Sequence, residues 1–531
     1  MIIRGQKQRF SAGINGYFRT KIKLLGEKMA KIVIIGGGVG GLSAGIYGAL
    51  SGHEVTLIEK HSATGGNLTG WRREGYTIDN CIHWLTGTNP ATETYKTWVE
   101  LGALGDGVEI VKCNTLYTYS LGNREISLCR DLDRLENRML EISPADSGEI
   151  KALMRAVRAI QGYSGIGGKN HDRGIGPGEL VLAAPYLLRY YKSSCLEISR
   201  RFKSPLLSGF IRSFLGDCFA AIALVFVFAH FTAENGDLPR GGSIEMARRM
   251  TERLKGLGGN ILLNTEVLKI NHKCGKAYSV SLSDGQEIFA DYFVFTCDPM
   301  PNYERLLSLS LPKGLAKNYE RRDMLRFSSY HAAFCVDGEA PFKGDYVFPL
   351  SDKQSIKLMC DHLILREFSH EPDFSPQGKS IIQAMVFIGE PTCRALIRLR
   401  RSDPEEYKRR KASLAKETAD AITGKFPELS GRIRLLDFWT PATYERFTGA
   451  EIGSYMSFAL PKKYIPRRAP SEIPQIKNVF LATQWQMAPG GLPTAADLGK
   501  TAIKKIQAAE KSRARTRQGG TFTRPRPIKE G

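Results

Sequence analysis

Five of the six residues from Gly36 to Gly41 are glycine, and they follow directly on a β-branched run, Lys31-Ile-Val-Ile-Ile35. The spacing satisfies G-x-G-x-x-G. Glycine at 36 permits a tight turn, at 38 it lets backbone amides approach a pyrophosphate, and at 41 it lets a helix close against a strand. The chemistry on offer is anion binding, because the first N–H groups of a helix are unsatisfied and its dipole favours negative charge there. Leu42 to Leu50 supplies the small residues that such a helix needs to lie close to a sheet. A second apolar run, His53 to Glu59, ends in an acid at the spacing where a carboxylate accepts the two hydroxyls of a ribose. Strand, glycine turn, helix, strand and acid in that order predict a dinucleotide-binding unit.

A second glycine pair, Gly65-Gly66, stands just past Glu59 and Lys60. Glu59 followed by such a pair resembles the FAD-binding half of the flavin amine oxidase and phytoene desaturase superfamily. There the second turn runs along the flavin's phosphates and ring. Those families usually have Arg after the pair; Asn67 occupies the place here. The stretch Glu74-Gly-Tyr-Thr-Ile-Asp79-Asn-Cys-Ile-His83-Trp84-Leu-Thr-Gly87 narrows the resemblance to the phytoene dehydrogenase-like group of carotene desaturases, carotene isomerases and retinol saturases, with Cys81 where that group usually has Gly. Asn235 to Ser243, the amphipathic stretch ending at Gly256, and Ile261 to Ile270 are similar to the segment by which that family returns to its nucleotide domain. In the family, the residue matching Val267 touches adenine through its backbone. Thr440 to Ser454 resembles a stretch of the substrate domain, and Asn478 to Pro493 resembles the last flavin-binding strand and its Pro-Gly-Gly-x-Pro turn, with Thr483 at a usual Gly. That turn opens a helix expected over 494–508, whose positive end suits charge developing on a reduced flavin.

The resemblance implies FAD as cofactor, held by Gly36, Gly38, Gly40, Gly41, Glu59, Lys60, Gly66, Asn67, Val267, Gln484, Gly491, Leu492 and Pro493. It implies an FAD-dependent oxidoreductase acting on C–C or C=C bonds of a lipophilic polyene or isoprenoid, by desaturation, saturation or isomerisation. Two alternatives stand beside it: an amine oxidase-like flavoprotein, and a non-catalytic prenyl carrier of the GDP-dissociation-inhibitor type, which would need no nucleotide site. The partner in electron transfer is oxygen, a quinone, another protein or transiently bound NAD(P)H. His83 is the one group titrating near neutral pH inside the matched blocks near the cofactor, so it is the catalytic candidate for positioning substrate or moving a proton; a hydrogen-bonded structural histidine is the other use of such a residue. Trp84 and Trp485 either line an apolar slot beside the flavin or fill core.

At 531 residues the chain holds two to four units at about 150 residues each. Hydrophobic residues at 42% and charged ones at 24% are those of a globular protein. The expected class is mixed α/β: a Rossmann-like FAD-binding domain assembled from 29–110, 236–300 and 471–508, with an α+β substrate domain inserted at 111–235 and 301–470. Residues 1–28 read as a basic leader or as an over-extended start ahead of Met29, and 509–531 as a basic disordered tail. Of the net charge of +21, residues 1–28 carry +6 and 510–531 carry +5. The excess is therefore a property of the ends, which argues against nucleic acid as a partner and suits contact with an anionic membrane surface. No apolar run reaches 18 residues; the nearest, Cys218 to Ala229, reads as core or as the wall of an apolar pocket. Ten cysteines without a Cys-x-x-Cys pair write neither a zinc site nor a redox dithiol, and suit a reducing, cytoplasmic setting. The glycine-rich stretch 162–178 has no strand before it and reads as a loop.

Overall fold

The computed structural model describes residues 29–162, 184–185, 188–465 and 467–519. The loop expected at 162–178 lies outside them from residue 163 onward.

Lys31–Ile35 is a strand with four buried residues in succession, as a strand covered on both faces requires. It is central in a six-stranded sheet ordered Asn260–Leu262, Glu54–Ile58, Lys31–Ile35, Tyr292–Phe295, Ile476–Leu481, Glu472–Ile473, parallel except for the final pair. These strands come from three separated stretches of chain. The helix Val39–Leu50 crosses from the first strand to the second. The helix Leu492–Gly519 lies along it: Ser43 Oγ donates to the Ala496 carbonyl at 2.5 Å, and Gln507 Nε2 donates to Ser51 Oγ at 3.0 Å. Contacts advance together along both helices, so they run parallel and their N-termini open at the same end of the sheet.

A second sheet has seven strands, in the order Ile433–Trp439, Phe327–Asp337, Lys379–Gly389, His362–Glu367, Asp345–Pro349, Thr115–Leu121, Arg124–Cys129. All its pairings are antiparallel except that of Asp345–Pro349 with Thr115–Leu121. On it rests an apolar cluster containing the helix Ala221–Thr232. That helix is apolar nearly all round, so burial rather than amphipathicity fixes its place. The helix Pro404–Lys425 is capped by Asp403, whose side chain accepts from Glu406 N at 2.9 Å, and it stops two residues before Pro427. Both limits follow from capping and proline chemistry.

Two local expectations are corrected. In the sequence, Asp284-Gly285 between alternating runs predicts a hairpin with a primed turn; the two-residue form is not adopted, since type I′ needs positive φ at both residues and type II′ at the first. Only Gly285 has it, at +86°, and Leu282 O accepts from Gly285 N at 3.1 Å. The hairpin therefore closes through a three-residue loop with glycine in the left-handed position. The basic tail expected to be disordered from 509 is helical to Gly519, because Arg513 lies over the Tyr292 ring, 5.3 Å from its centroid, and donates to its hydroxyl at 3.2 Å. No helix among the described residues is long and apolar enough to cross a membrane.

Candidate active site

At the open end of the first sheet two glycine turns meet. Gly38 and Gly65 form an isolated parallel bridge, and Gly65 N donates to Gly37 O at 2.8 Å. The division of labour in the first turn is geometric. A Cβ on Gly41 would lie 1.9 Å from Gly36 O, and one on Gly40 would lie 2.6 Å from Ala482 O, so both are glycine for packing. Gly36, at φ +101°, is glycine for the turn itself. Gly38 differs: it caps the helix Val39–Leu50 with no side-chain hydrogen bond, and the only atom near a Cβ there is Gly65 O at 4.0 Å. That helix has no acidic residue in its first turn, so its free amides face an open cradle. Gly66, at φ +62°, backs onto Gly38 Cα.

Glu59 is buried at the end of the second strand. Its Oε2 accepts from Gly37 N at 2.7 Å and its Oε1 from His61 N at 3.0 Å. A carboxylate has about four acceptor sites, so two such bonds tie the turn and leave capacity for hydroxyls. Thr265 N donates to Glu59 O at 3.0 Å, bringing Val267 to the same edge. Lys60 Nζ donates to the Arg446 carbonyl at 3.0 Å, which ties the strand end to the helix Pro441–Thr448.

At the other end of the groove, Asn67 and Gln484 converge. Each donates a side-chain N–H to the Tyr455 carbonyl at 3.3 Å, and Gln484 Oε1 accepts from Gly491 N at 3.0 Å. A neutral amide at position 67 thus donates to a main-chain carbonyl without bringing a charge to it. Gly491, at φ +107°, turns the chain into Leu492 and Pro493, the first residues of the final helix. Ser454 Oγ, next in sequence to Tyr455, is buried without a partner among the described residues.

The block carrying His83 is pinned from several sides. The Asp79 carboxylate accepts from Cys81 N (3.0 Å), Ser243 N (2.6 Å) and Ser243 Oγ (2.7 Å). It therefore caps the helix Gly242–Gly256 from a distance in sequence, and a Cβ on Gly242 would strike it. Asn80 Oδ1 accepts from Trp439 Nε1 (2.9 Å) and from the Tyr444 hydroxyl (2.8 Å), and its Nδ2 donates to Asn67 O (3.1 Å). His83 Nδ1 meets Asp345 Oδ2 at 3.2 Å. Nearby, burial holds His331 and His370 neutral, the latter pushed down to about 4. Trp84 and Trp485 both pack in the apolar cluster of the helix Ala221–Thr232, and Trp485 stacks on Tyr319 with centroids 5.6 Å apart. The Tyr319 hydroxyl donates to Asp298 Oδ1 at 2.6 Å, and burial raises the Asp298 carboxyl to about 6.

The open cradle at Gly38, the two helix N-termini side by side, the acid at 59 and the amide node at Tyr455 fit one elongated dinucleotide with a ring at its far end. The family model described as flavin containing amine oxidoreductase matches residues 39–336, more than half the chain. The chain belongs to that family. It is an FAD-dependent oxidoreductase, and its matched segment takes in the second glycine turn and the Asp79 block. Among similar proteins, prolycopene isomerase 1 of an Oncidium hybrid cultivar is 23% identical over 458 residues, which cover 80% of this chain and 74% of the relative. The 4,4'-diaponeurosporene oxygenase of Staphylococcus haemolyticus is 24% identical over 513 residues, covering 90% and 97%. An oxidoreductase from Methanosarcina mazei shares the fold with a TM-score of 0.59 at 17% identity, covering 90% of this chain and all of that one.

Sequence reasoning missed Asp345, Arg366 and Gln383, which lie in no matched block; Asn80 and Tyr444 lie inside the blocks Glu74–Gly87 and Thr440–Ser454, where nothing singles them out. The only signal was the apolar runs within Phe327–Asp337 and Lys379–Gly389; the second carries Gln383 and pairs with the strand of Arg366, which in turn pairs with the strand of Asp345.

Proposed function

We propose that this protein acts on C–C and C=C bonds of a lipophilic polyene or isoprenoid, by desaturation, saturation or isomerisation. The observation that supports it is one continuous apolar cluster. It contains most of the helix Ala221–Thr232, Phe219, Phe327 and Phe458, and extends to Trp485 and Ala488 of the final cofactor turn. A long hydrocarbon gains about 25 cal/mol for each Å² it buries, so a wall of this kind favours a polyene over a polar amine. The two relatives above carry the names prolycopene isomerase and 4,4'-diaponeurosporene oxygenase, both polyene chemistry. When bound, FAD supplies the two-electron exchange. The glycine turns and Glu59 hold the nucleotide, and Asn67, Gln484, Gly491, Leu492 and Pro493 frame its ring. His83 Nε2 moves a proton at the substrate carbon. The basic ends hold the protein near anionic lipid, where such substrates partition.

The test is anaerobic mixing of purified holoprotein with a panel of carotenoid precursors and a panel of amines, following flavin absorbance and product by chromatography. A polyene should bleach the flavin or emerge isomerised. Bleaching by an amine with every polyene unchanged would overturn the proposal.

A further inference from the structure

In the seven-stranded sheet, pairing sets Asp345 opposite Arg366 and Arg366 opposite Gln383. Residues directly opposite share a face, so three adjacent strands present a row of three polar side chains. All three are buried, within strands that are otherwise largely apolar. Buried polar groups cost free energy unless each is paired, and the partners of this row lie in one place, the block from Asp79 to His83. With its amide oriented to satisfy both groups, Gln383 donates to Asp79 O at 2.8 Å and accepts from Asp79 N at 3.1 Å. Asp345 Oδ2 takes His83 Nδ1 at 3.2 Å, and Arg366 Nε stands 3.5 Å from Asp345 Oδ1 with its guanidinium over the Phe368 ring.

We propose that Asp345 is the positioning residue of His83, and that Arg366 and Gln383 hold the row in register against the Asp79 block. The proposal rests on His83 moving a proton in the reaction. A carboxylate only accepts, so the hydrogen bond puts the proton of neutral His83 on Nδ1 and leaves the lone pair on Nε2. Nε2 has no hydrogen-bond partner among the described residues, and the side chain keeps 24% of its surface exposed. It borders a cavity of about 30 Å³, room for one water, with Cys113, Glu367 and His370 among its other walls. When Nε2 takes a proton from substrate, a C–H bond breaks and its electron pair stays with carbon to form the new C=C bond. The hydride lost from the neighbouring carbon would pass to a bound FAD, which completes the two-electron oxidation. The imidazolium then forms 3.2 Å from Asp345, and Arg366 balances that carboxylate while the ring is neutral. The other titratable groups facing the ring are His331, His370, Asp79, Glu367 and Cys113. Burial keeps both histidines neutral and raises Glu367 and the Cys113 thiol.

A double-mutant cycle on the holoenzyme tests this, using whichever polyene the wild type converts. His83→Gln should lower kcat about 10²- to 10³-fold, and Asp345→Asn about 10- to 100-fold with KM little changed. In the His83→Gln background Asp345→Asn should cost nothing further, and Asp345→Glu should restore part of the loss. Nitrogen NMR of ¹⁵N-histidine-labelled protein should show the Nδ1–H tautomer at His83 in the wild type and its loss in Asp345→Asn. Because that variant leaves Arg366 buried without its counter-charge, the pair Asp345→Asn with Arg366→Gln provides a second folded sample, with the same tautomer change expected. If His83→Gln keeps wild-type turnover, the proton-moving role fails. If His83→Gln loses turnover but Asp345→Asn costs the same factor in both backgrounds, or leaves the Nδ1–H signal in place, the positioning role alone fails.

Discussion

Alanine at Gly38 and alanine at Gly41 should have opposite consequences although the two lie three residues apart in one motif. At Gly38, φ is −67° and the nearest atom to a new Cβ is 4.0 Å away, so the fold accepts it. Loss of glycine at an N-cap and the smaller entropy of the unfolded chain nearly cancel, leaving a stability change of about 0.5 kcal/mol or less in either direction. The new methyl group projects into the cradle where phosphate oxygens must approach backbone amides. A 100-fold loss of FAD affinity is a conservative expectation, about 2.7 kcal/mol. At Gly41 the Cβ would lie 1.9 Å from Gly36 O, more than an ångström inside contact, and that carbonyl belongs to a turn with nowhere to move. Destabilisation of about 3 kcal/mol or more follows. The assay is flavin stoichiometry on purification, calorimetric titration of the apoproteins with FAD, and urea unfolding of the same samples. Gly38→Ala should be as stable as wild-type apoprotein yet colourless, and added FAD should stabilise it less than the wild type by about RT ln of the affinity ratio. A Gly38→Ala protein that binds FAD normally would refute the reasoning, as would one that loses stability like Gly41→Ala.

Asp79→Ala removes the acceptor shared by Cys81 N, Ser243 N and Ser243 Oγ; it should cost about 3 kcal/mol in urea unfolding, and a cost below about 1 kcal/mol would show that the cap is dispensable. His370 is held down to about 4 by burial, with the Arg366 charge adding to it. A lowered folded value means that the native state binds fewer protons between about 4 and 6.5, so stability rises with pH across that window and is lost as pH falls through it, by up to about 3 kcal/mol. Thermal unfolding of His370→Gln against pH should show a shallower acid limb, and an identical limb would exclude His370 as its source. Removing residues 1–28 and 520–531 while keeping the helix to Gly519 should weaken sedimentation with anionic vesicles and leave neutral vesicles unaffected. Unchanged binding would remove the ends from any membrane role.

The parts of the fold visible in the sequence are those whose physics is local. The glycine turn at 36–41, the acid at 59, the cap at Asp403 and the apolar run of Ala221–Thr232 each need only near neighbours in the chain to be understood. The Asp345–His83 contact spans 262 positions, and it exists only because three strands pair in one register. A single Asp or Arg in a strand looks like an ordinary exposed alternation until that register is known. The turn at Asp284 went astray for a related reason: Asp-Gly permits both a two-residue and a three-residue closure, and strand pairing chooses between them. Asn67 and Lys60 show the same limit at the cofactor, since their partners, Tyr455 and Arg446, come from the far end of the chain.

The parallel pair formed by Val39–Leu50 and Leu492–Gly519 also sets an order of assembly. Ser43 and the residue that accepts its hydrogen bond, Ala496, are 453 positions apart. A ribosome therefore exposes the first glycine turn long before it delivers the strand and helix that complete the groove. During nearly all of synthesis the apolar faces of the first sheet have no final partner, and the nucleotide can be gripped at one end only. FAD is in this sense a late fastener joining the beginning of the chain to its end. Nascent chains stalled ahead of Ile476 should sediment with chaperones whatever the FAD supply, whereas released full-length chains should escape them in proportion to it.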